Sequence, residues 1–111
     1  MKRRPSGHKD VMHDPVGDFF KLHGWSGIDL SALGEGCPDW AFFKGIFGFA
    51  LEVKTPKHLV NRTSGLDERG LNAEQQAYHA AFRGAIYVVE TIADCWGVLD
   101  IYAAKAAEAG A

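Results

Sequence analysis

Cysteine is scarce: Cys37 and Cys95 are the two in 111 residues, and they show no C-x-x-C spacing. The plain reading is two reduced, small, buried side chains, with a single disulfide or a zinc pair as the alternative. Long apolar runs are also missing. Nothing approaches the roughly 18 apolar residues of a membrane span. The basic N-terminus is followed by no apolar stretch of the kind a secretory signal needs, so the expected location is the cytoplasm with no membrane partner. Excess positive charge is absent too. A formal net charge of −2 argues mildly against nucleic acid, because phosphate binding draws largely on counterion release. No internal repeat occurs, and none of the histidines stands in a spaced motif with Asn or a second His.

What is present is an ordinary globular composition, 47% hydrophobic and 23% charged, in a chain of single-domain length. Its distribution is informative. Residues 1–12 form a polar arm carrying Lys2, Arg3, Arg4 and Lys9, with Pro5 and Gly7 against regular structure. Residues 13–104 read as one domain, and the alanine-rich residues 105–111 as a frayed tail. A second basic group, Lys54, Lys57, Arg62 and Arg69, lies in or beside the aperiodic stretch 55–70, faced by Asp67 and Glu68. A structureless loop of that length is usually functional or mobile. It reads as a DNA-contacting flap or a dimer-contacting arm, with a plain solvated loop as the alternative.

Periodicity places the elements. Asp14 suits an N-cap with Pro15 at the first helical position, and Val16, Phe19, Phe20, and Leu22 or His23 give a helical stripe that Gly24 closes. Trp25 to Leu30 alternates like a strand, followed by a glycine-rich loop from Ala32 to Cys37. Two further strands flank a turn at Lys44 to Gly48. Asn72 caps a helix over 73–83, with Gln75 in capping-box register and Leu71, Gln75, Tyr78, His79 and Phe82 on one arc. Gln75 and His79 are therefore expected to face the sheet; for His79 a satisfied core histidine is the plainer reading. Ala85 to Glu90 is a buried strand. Thr91 or Asp94 opens a last helix to about Ala104, with Ile92, Cys95, Trp96, Leu99 and Tyr102 or Ala103 inward. The order is αβββαβα: an α/β fold with a central mixed four-stranded sheet flanked by helices, the fourth strand parallel to its neighbour.

The chemistry concentrates between Gly36 and Lys54. In Phe49-Ala50-Leu51-Glu52-Val53-Lys54 successive side chains alternate faces, so Leu51 and Val53 point one way while Glu52 and Lys54 share the other. Asp39, heading the preceding strand, can be placed beside them. Two carboxylates and an ammonium at one sheet edge suit a metal and a water, although Glu-x-Lys alternating with apolar residues also describes any half-exposed strand.

The order Asp29-Leu30-Ser31, Gly34-x-Gly36-Cys37-Pro38-Asp39, an apolar strand, Leu51-Glu52-Val53-Lys54, Leu71-Asn72-Ala73-Glu74-Gln75, Tyr78-His79 and Val88-Val89 resembles the PD-(D/E)XK nuclease superfamily. More narrowly, it is similar to the stand-alone VRR-NUC and Holliday-junction-resolvase-like proteins of bacteriophages and prophages. The resemblance spans roughly Asp14 to Leu99. It implies a restriction-endonuclease-like core and an Mg²⁺-dependent endonuclease (Mn²⁺ substituting) that cuts branched or junction DNA as a homodimer, in a bacterial cell. Asp39, Glu52 and the Val53 carbonyl become the metal ligands and Lys54 the cation that holds the nucleophile. Gln75 positions phosphate or water, and Lys57, Arg62 and Arg69 contact nucleic acid. Relatives often place a Glu in the first helix; here Pro15 stands near that place, leaving Asp14 or Asp18, or Glu35 in the loop, as a further acid. The rival readings are a DNA-binding module that does not cut and a phage interaction protein on the same scaffold.

Overall fold

The computed structural model describes residues 11–55 and 66–110. The elements in order are α1 (His13–Leu22), β1 (Ser26–Asp29), β2 (Trp40–Lys44), β3 (Phe47–Val53), α2 (Ala73–Ala81), β4 (Ile86–Val89) and α3 (Ile92–Gly110). The strands form one mixed sheet in the order β1-β2-β3-β4. The expected α/β class with three helices and a four-stranded mixed sheet is therefore observed. β1, β2 and β3 make an antiparallel meander, and β4 lies parallel to β3. A parallel neighbour cannot be reached by a hairpin, so the chain crosses over through α2 before returning as β4.

Alternation divides the sheet into two unlike faces. Trp40, Phe42, Phe49, Leu51, Val53 and Val89 point to one side and join Val16 and Phe20 of α1 with Cys95, Val98 and Tyr102 of α3 in the main core. Phe20, Phe42, Leu51 and Val53 are fully buried, each contributing about 1.5–3 kcal/mol by leaving water. Aromatic rings dominate this layer: Phe20 lies 4.8 Å from Phe42, and Trp40 stacks 5.3 Å from Phe42. The other face carries Glu52, and α2 lies over that end of it, while Ile28 and Phe43 on the same face are exposed. No α2 residue is fully buried, so polar contacts matter unusually in holding that helix down.

Several boundaries differ from the sequence expectation. Asp14 is not the N-cap of α1; Met12 is, with no side-chain cap, and Asp14 sits in the first turn, where the helix dipole favours its charge. The cause is His13. It is buried, its Nε2 is 3.1 Å from Asp29 Oδ2, and its ring stacks 5.0 Å from Trp40, whose Nε1 donates to the His13 carbonyl. Anchoring His13 starts the helix two residues early. At the other end Gly24 takes φ +89°, the expected left-handed stop. Leu22 is 84% exposed, and the alternative inward residue, His23, packs on Phe19 instead.

α2 ends at Ala81 rather than Arg83, with Phe82 already extended. α3 runs to Gly110, so residues 105–110 are helical rather than frayed; alanine has the highest helix propensity and carries the helix beyond its packed part. Cys95 and Tyr102 are buried as expected, and Ile92 and Leu99 pack against the core. Of the expected set only Trp96 is exposed, and Val98 is buried in addition.

Candidate active site at the end of β3

Asp39 and Glu52 reach one place through strand register. Trp40 pairs with Leu51, so one further step sets Asp39 against Glu52, and directly opposed residues share a face. The backbone continues the pairing past the strand end, with Asp39 N donating to the Leu51 carbonyl at 2.9 Å. Both side chains are buried, Asp39 4% and Glu52 2% exposed. The Asp39 carboxylate is held by the backbone: its Oδ2 accepts from Val53 N at 2.7 Å. Hydrogen bonds to ionised acceptors are among the stronger ones in proteins.

Gln75 joins the sheet to α2. Its Oε1 accepts from Lys54 Nζ and from Asn72 N, each at 3.0 Å, and its Nε2 lies 3.4 Å from Glu52 Oε2. Asn72 Oδ1 accepts in turn from Gln75 N at 2.9 Å, which completes the capping box. The capping role and the site role of Gln75 are thus one arrangement. The box fixes the amide so that it bridges the ammonium of Lys54 and the carboxylate of Glu52.

The glycine-rich loop supports this geometry from the other side. Gly34, Glu35 and Gly36 all take positive φ, at +68°, +55° and +79°, a run that turns the chain tightly before Asp39. A Cβ on Gly36 would stand 2.5 Å from the Glu74 carbonyl oxygen in the first turn of α2, so only glycine permits this approach. One loop therefore touches the helix bearing Gln75 and delivers Asp39 to the sheet. Tyr78 adds a contact to it: burial, then the charge of Cys37 and a hydrogen bond with it, push the phenol pKa up.

His79 lies one turn beyond Gln75 on the same face. Its side chain is 6% exposed, with Nε2 3.7 Å from Glu52 Oε1. Burial, followed by the nearby Arg69 charge, holds its pKa below the usual histidine value; Asp67 pulls the other way and Lys54 adds to the lowering. The imidazole is accordingly neutral at neutral pH.

Arg69 is engaged locally: its Nε and Nη2 donate to Asp67 Oδ2 at 3.1 and 2.9 Å. Asp67 Oδ1 also accepts from the backbone of Arg69 and Leu71, so this turn braces the entry to α2. Lys57 and Arg62 lie outside the described residues, as do most of the 55–70 loop and the basic arm up to residue 10. Asp14, Asp18 and Glu35 are exposed. Among the described residues no group of three or more His, Cys, Asp and Glu side chains converges as a ready cation cage. What the sequence reading undervalued is His79; its placement on the arc of Gln75 was the available signal. His13 carried no such signal, because its anchoring partners Asp29 and Trp40 are distant in sequence.

The chain matches no protein-family model, and no characterised protein or solved structure matches it. Among the described residues no helix is long and apolar enough to cross a membrane.

Proposed function

We propose that the protein is a metal-dependent endonuclease that hydrolyses DNA phosphodiester bonds at the carboxyl end of β3, on a restriction-endonuclease-like core. The observation that carries this reading is the Lys54–Gln75–Glu52 chain beside the buried Asp39. Burying two carboxylates in a small domain is costly unless their charge is used or compensated. An orphaned imidazole nitrogen beside Glu52 indicates that the donors here are not all consumed by internal contacts, which fits a cation. Glu52, Asp39 and the Val53 carbonyl are the residues to hold it. A divalent cation such as Mg²⁺ or Mn²⁺, when bound, polarises a phosphate oxygen and lowers the pKa of a water.

The chain's own groups account for the remaining work. Lys54 sits at the site's rim, half-buried, with an ammonium that offsets charge developing on the phosphate and holds an anionic nucleophile. Gln75 fixes that ammonium and orients the Glu52 carboxylate. Asp39 is kept in place by its bond to Val53 N rather than by a flexible contact. Branched or junction DNA as the substrate, a homodimer as the assembly and a bacterial or phage setting are the finer parts of this proposal.

Incubating the purified protein with labelled four-way junction, flap, duplex and single-stranded DNA, with Mg²⁺, Mn²⁺ or EDTA, tests the reading. Cation-gated cleavage is expected, lost in Asp39→Asn and Lys54→Ala while far-UV circular dichroism is unchanged. Cleavage by Lys54→Ala at the wild-type rate would remove Lys54 from the mechanism. Binding without cleavage under every cation would favour the non-cutting DNA module. Its particular support is that Asp39 and Glu52 already have hydrogen-bond partners within the fold.

A further inference from the structure

The hydrolysis proposed above takes the unpaired His79 nitrogen as a mark of a cation site but gives His79 no part in holding the ion. Its Nε2 is buried and has no hydrogen-bond partner among the described residues. Leaving a buried polar atom unsatisfied costs on the order of 1–3 kcal/mol, so such an atom on an otherwise well-bonded face calls for a partner. The nearest acid, Glu52 Oε1, is 3.7 Å away, beyond the roughly 3.2 Å limit of a good hydrogen bond. That gap has another use. Two donor atoms each about 2.1 Å from one ion stand about 3.0 Å apart at a right angle and about 3.4 Å apart at the tetrahedral angle. The two side chains need to close by only a few tenths of an ångström to hold one ion between them.

We infer that His79 Nε2 is a ligand of the divalent cation held by Glu52, which makes the site a mixed oxygen–nitrogen centre. This rests on the metal-site part of the proposed function and not on the identity of the nucleic acid. Its consequence is selectivity. Mg²⁺ strongly prefers oxygen donors and an intact water shell, whereas imidazole suits Mn²⁺ and the later first-row ions better. The site therefore favours Mn²⁺ over Mg²⁺ by more than carboxylates alone provide. The backbone arranges this through helical spacing: Gln75 and His79, four residues apart, present an amide and an imidazole to the two oxygens of Glu52.

Electron spin-echo envelope modulation of the full chain with one equivalent of Mn²⁺ reads nitrogen ligation directly, without DNA or turnover. The wild-type spectrum is expected to show imidazole ¹⁴N modulation, and His79→Gln is expected to lose it. Calorimetric titration of His79→Gln should show Mn²⁺ affinity falling at least about tenfold, with a smaller change for Mg²⁺. Mn²⁺ bound in a Glu52-dependent manner without ¹⁴N modulation overturns the inference and leaves the metal site standing. Modulation that survives in His79→Gln comes from another histidine and also overturns it. If the wild-type chain binds no Mn²⁺ at millimolar concentration, both this inference and the proposed metal site fall. The wild-type spectrum decides nitrogen ligation even if the variant misfolds.

Discussion

Replacing Gly36 with alanine tests whether the loop before Asp39 and the start of α2 form one unit. Two costs add at this position. With φ at +79°, an L-residue takes the left-handed strain of about 1–2 kcal/mol. The new Cβ would also lie 2.5 Å from the Glu74 carbonyl oxygen, 2.7 Å from its carbon and 3.0 Å from Gln75 N. These are backbone atoms of a helix and cannot swing away, so the loop must retreat by most of an ångström, an overpacking cost of about 1–3 kcal/mol. The expected total is about 2–5 kcal/mol. Gly34→Ala supplies the control, since it shares the positive φ, at +68°, but a Cβ there meets nothing within 4 Å. It should cost only the strain. Urea unfolding followed by tryptophan fluorescence measures both. With a slope of about 1–2 kcal/mol per molar urea, the midpoint of Gly36→Ala should fall by more than 1 M, and clearly further than that of Gly34→Ala. Equal midpoints for the two variants would refute the contact, and with it the mechanical link between Asp39 and Gln75. If cleavage is established, Gly36→Ala should also reduce it disproportionately, because an ångström of misplacement can cost about 100-fold in rate.

Further outcomes follow from the same coordinates. Burial, with the neighbouring Asp94 charge, pushes the Cys95 thiol up to about 12, so iodoacetamide at pH 8 should label Cys95 only after denaturation; rapid labelling of the native protein, read by mass spectrometry, would contradict the packing of α3. For Asp29, burial works to raise the pKa, but bonds from the Ser31 hydroxyl and backbone and from His13 outweigh it and hold the carboxyl well below its ordinary 3.8. A depressed carboxylate contributes stability that is complete above pH 3.8 and is lost as pH falls through the native value. Asp29→Asn should therefore lower the urea midpoint at pH 6, and the gap from wild type should shrink as the medium is acidified below 3.8. A constant gap would mean the charge of Asp29 is not what the His13 anchor uses. In the nuclease assay, Asp39→Asn and Lys54→Ala should each abolish cation-gated cleavage while retaining the wild-type circular dichroism.

Local physics made much of this protein legible from its residues. The alternation Leu51-Glu52-Val53 decided which side chains enter the core, since pleating leaves a strand no other choice. Asn72 and Gln75 announced their capping box by spacing alone, and Gly24 its helix stop. The same spacing put Gln75 and His79 on one face before any sheet was known. The alternation of strand and helix periods set the α/β class, and the intervening helix set β4 parallel to β3.

Tertiary contacts decided the rest, because they join residues whose relation no local pattern encodes. The start of α1 is fixed by His13 meeting Asp29 and Trp40, partners 16 and 27 positions away, and this overrides the capping preference of Asp14. On α3 the packing buried Val98 and left Trp96 half-exposed at the rim, edge-on to Phe19 and His23. Arg69, basic by composition, is committed to Asp67 by a turn that a charge count cannot see. The stance of His79 toward Glu52 belongs here as well: periodicity can turn an imidazole to the sheet, but only packing leaves its nitrogen without a partner 3.7 Å from a carboxylate.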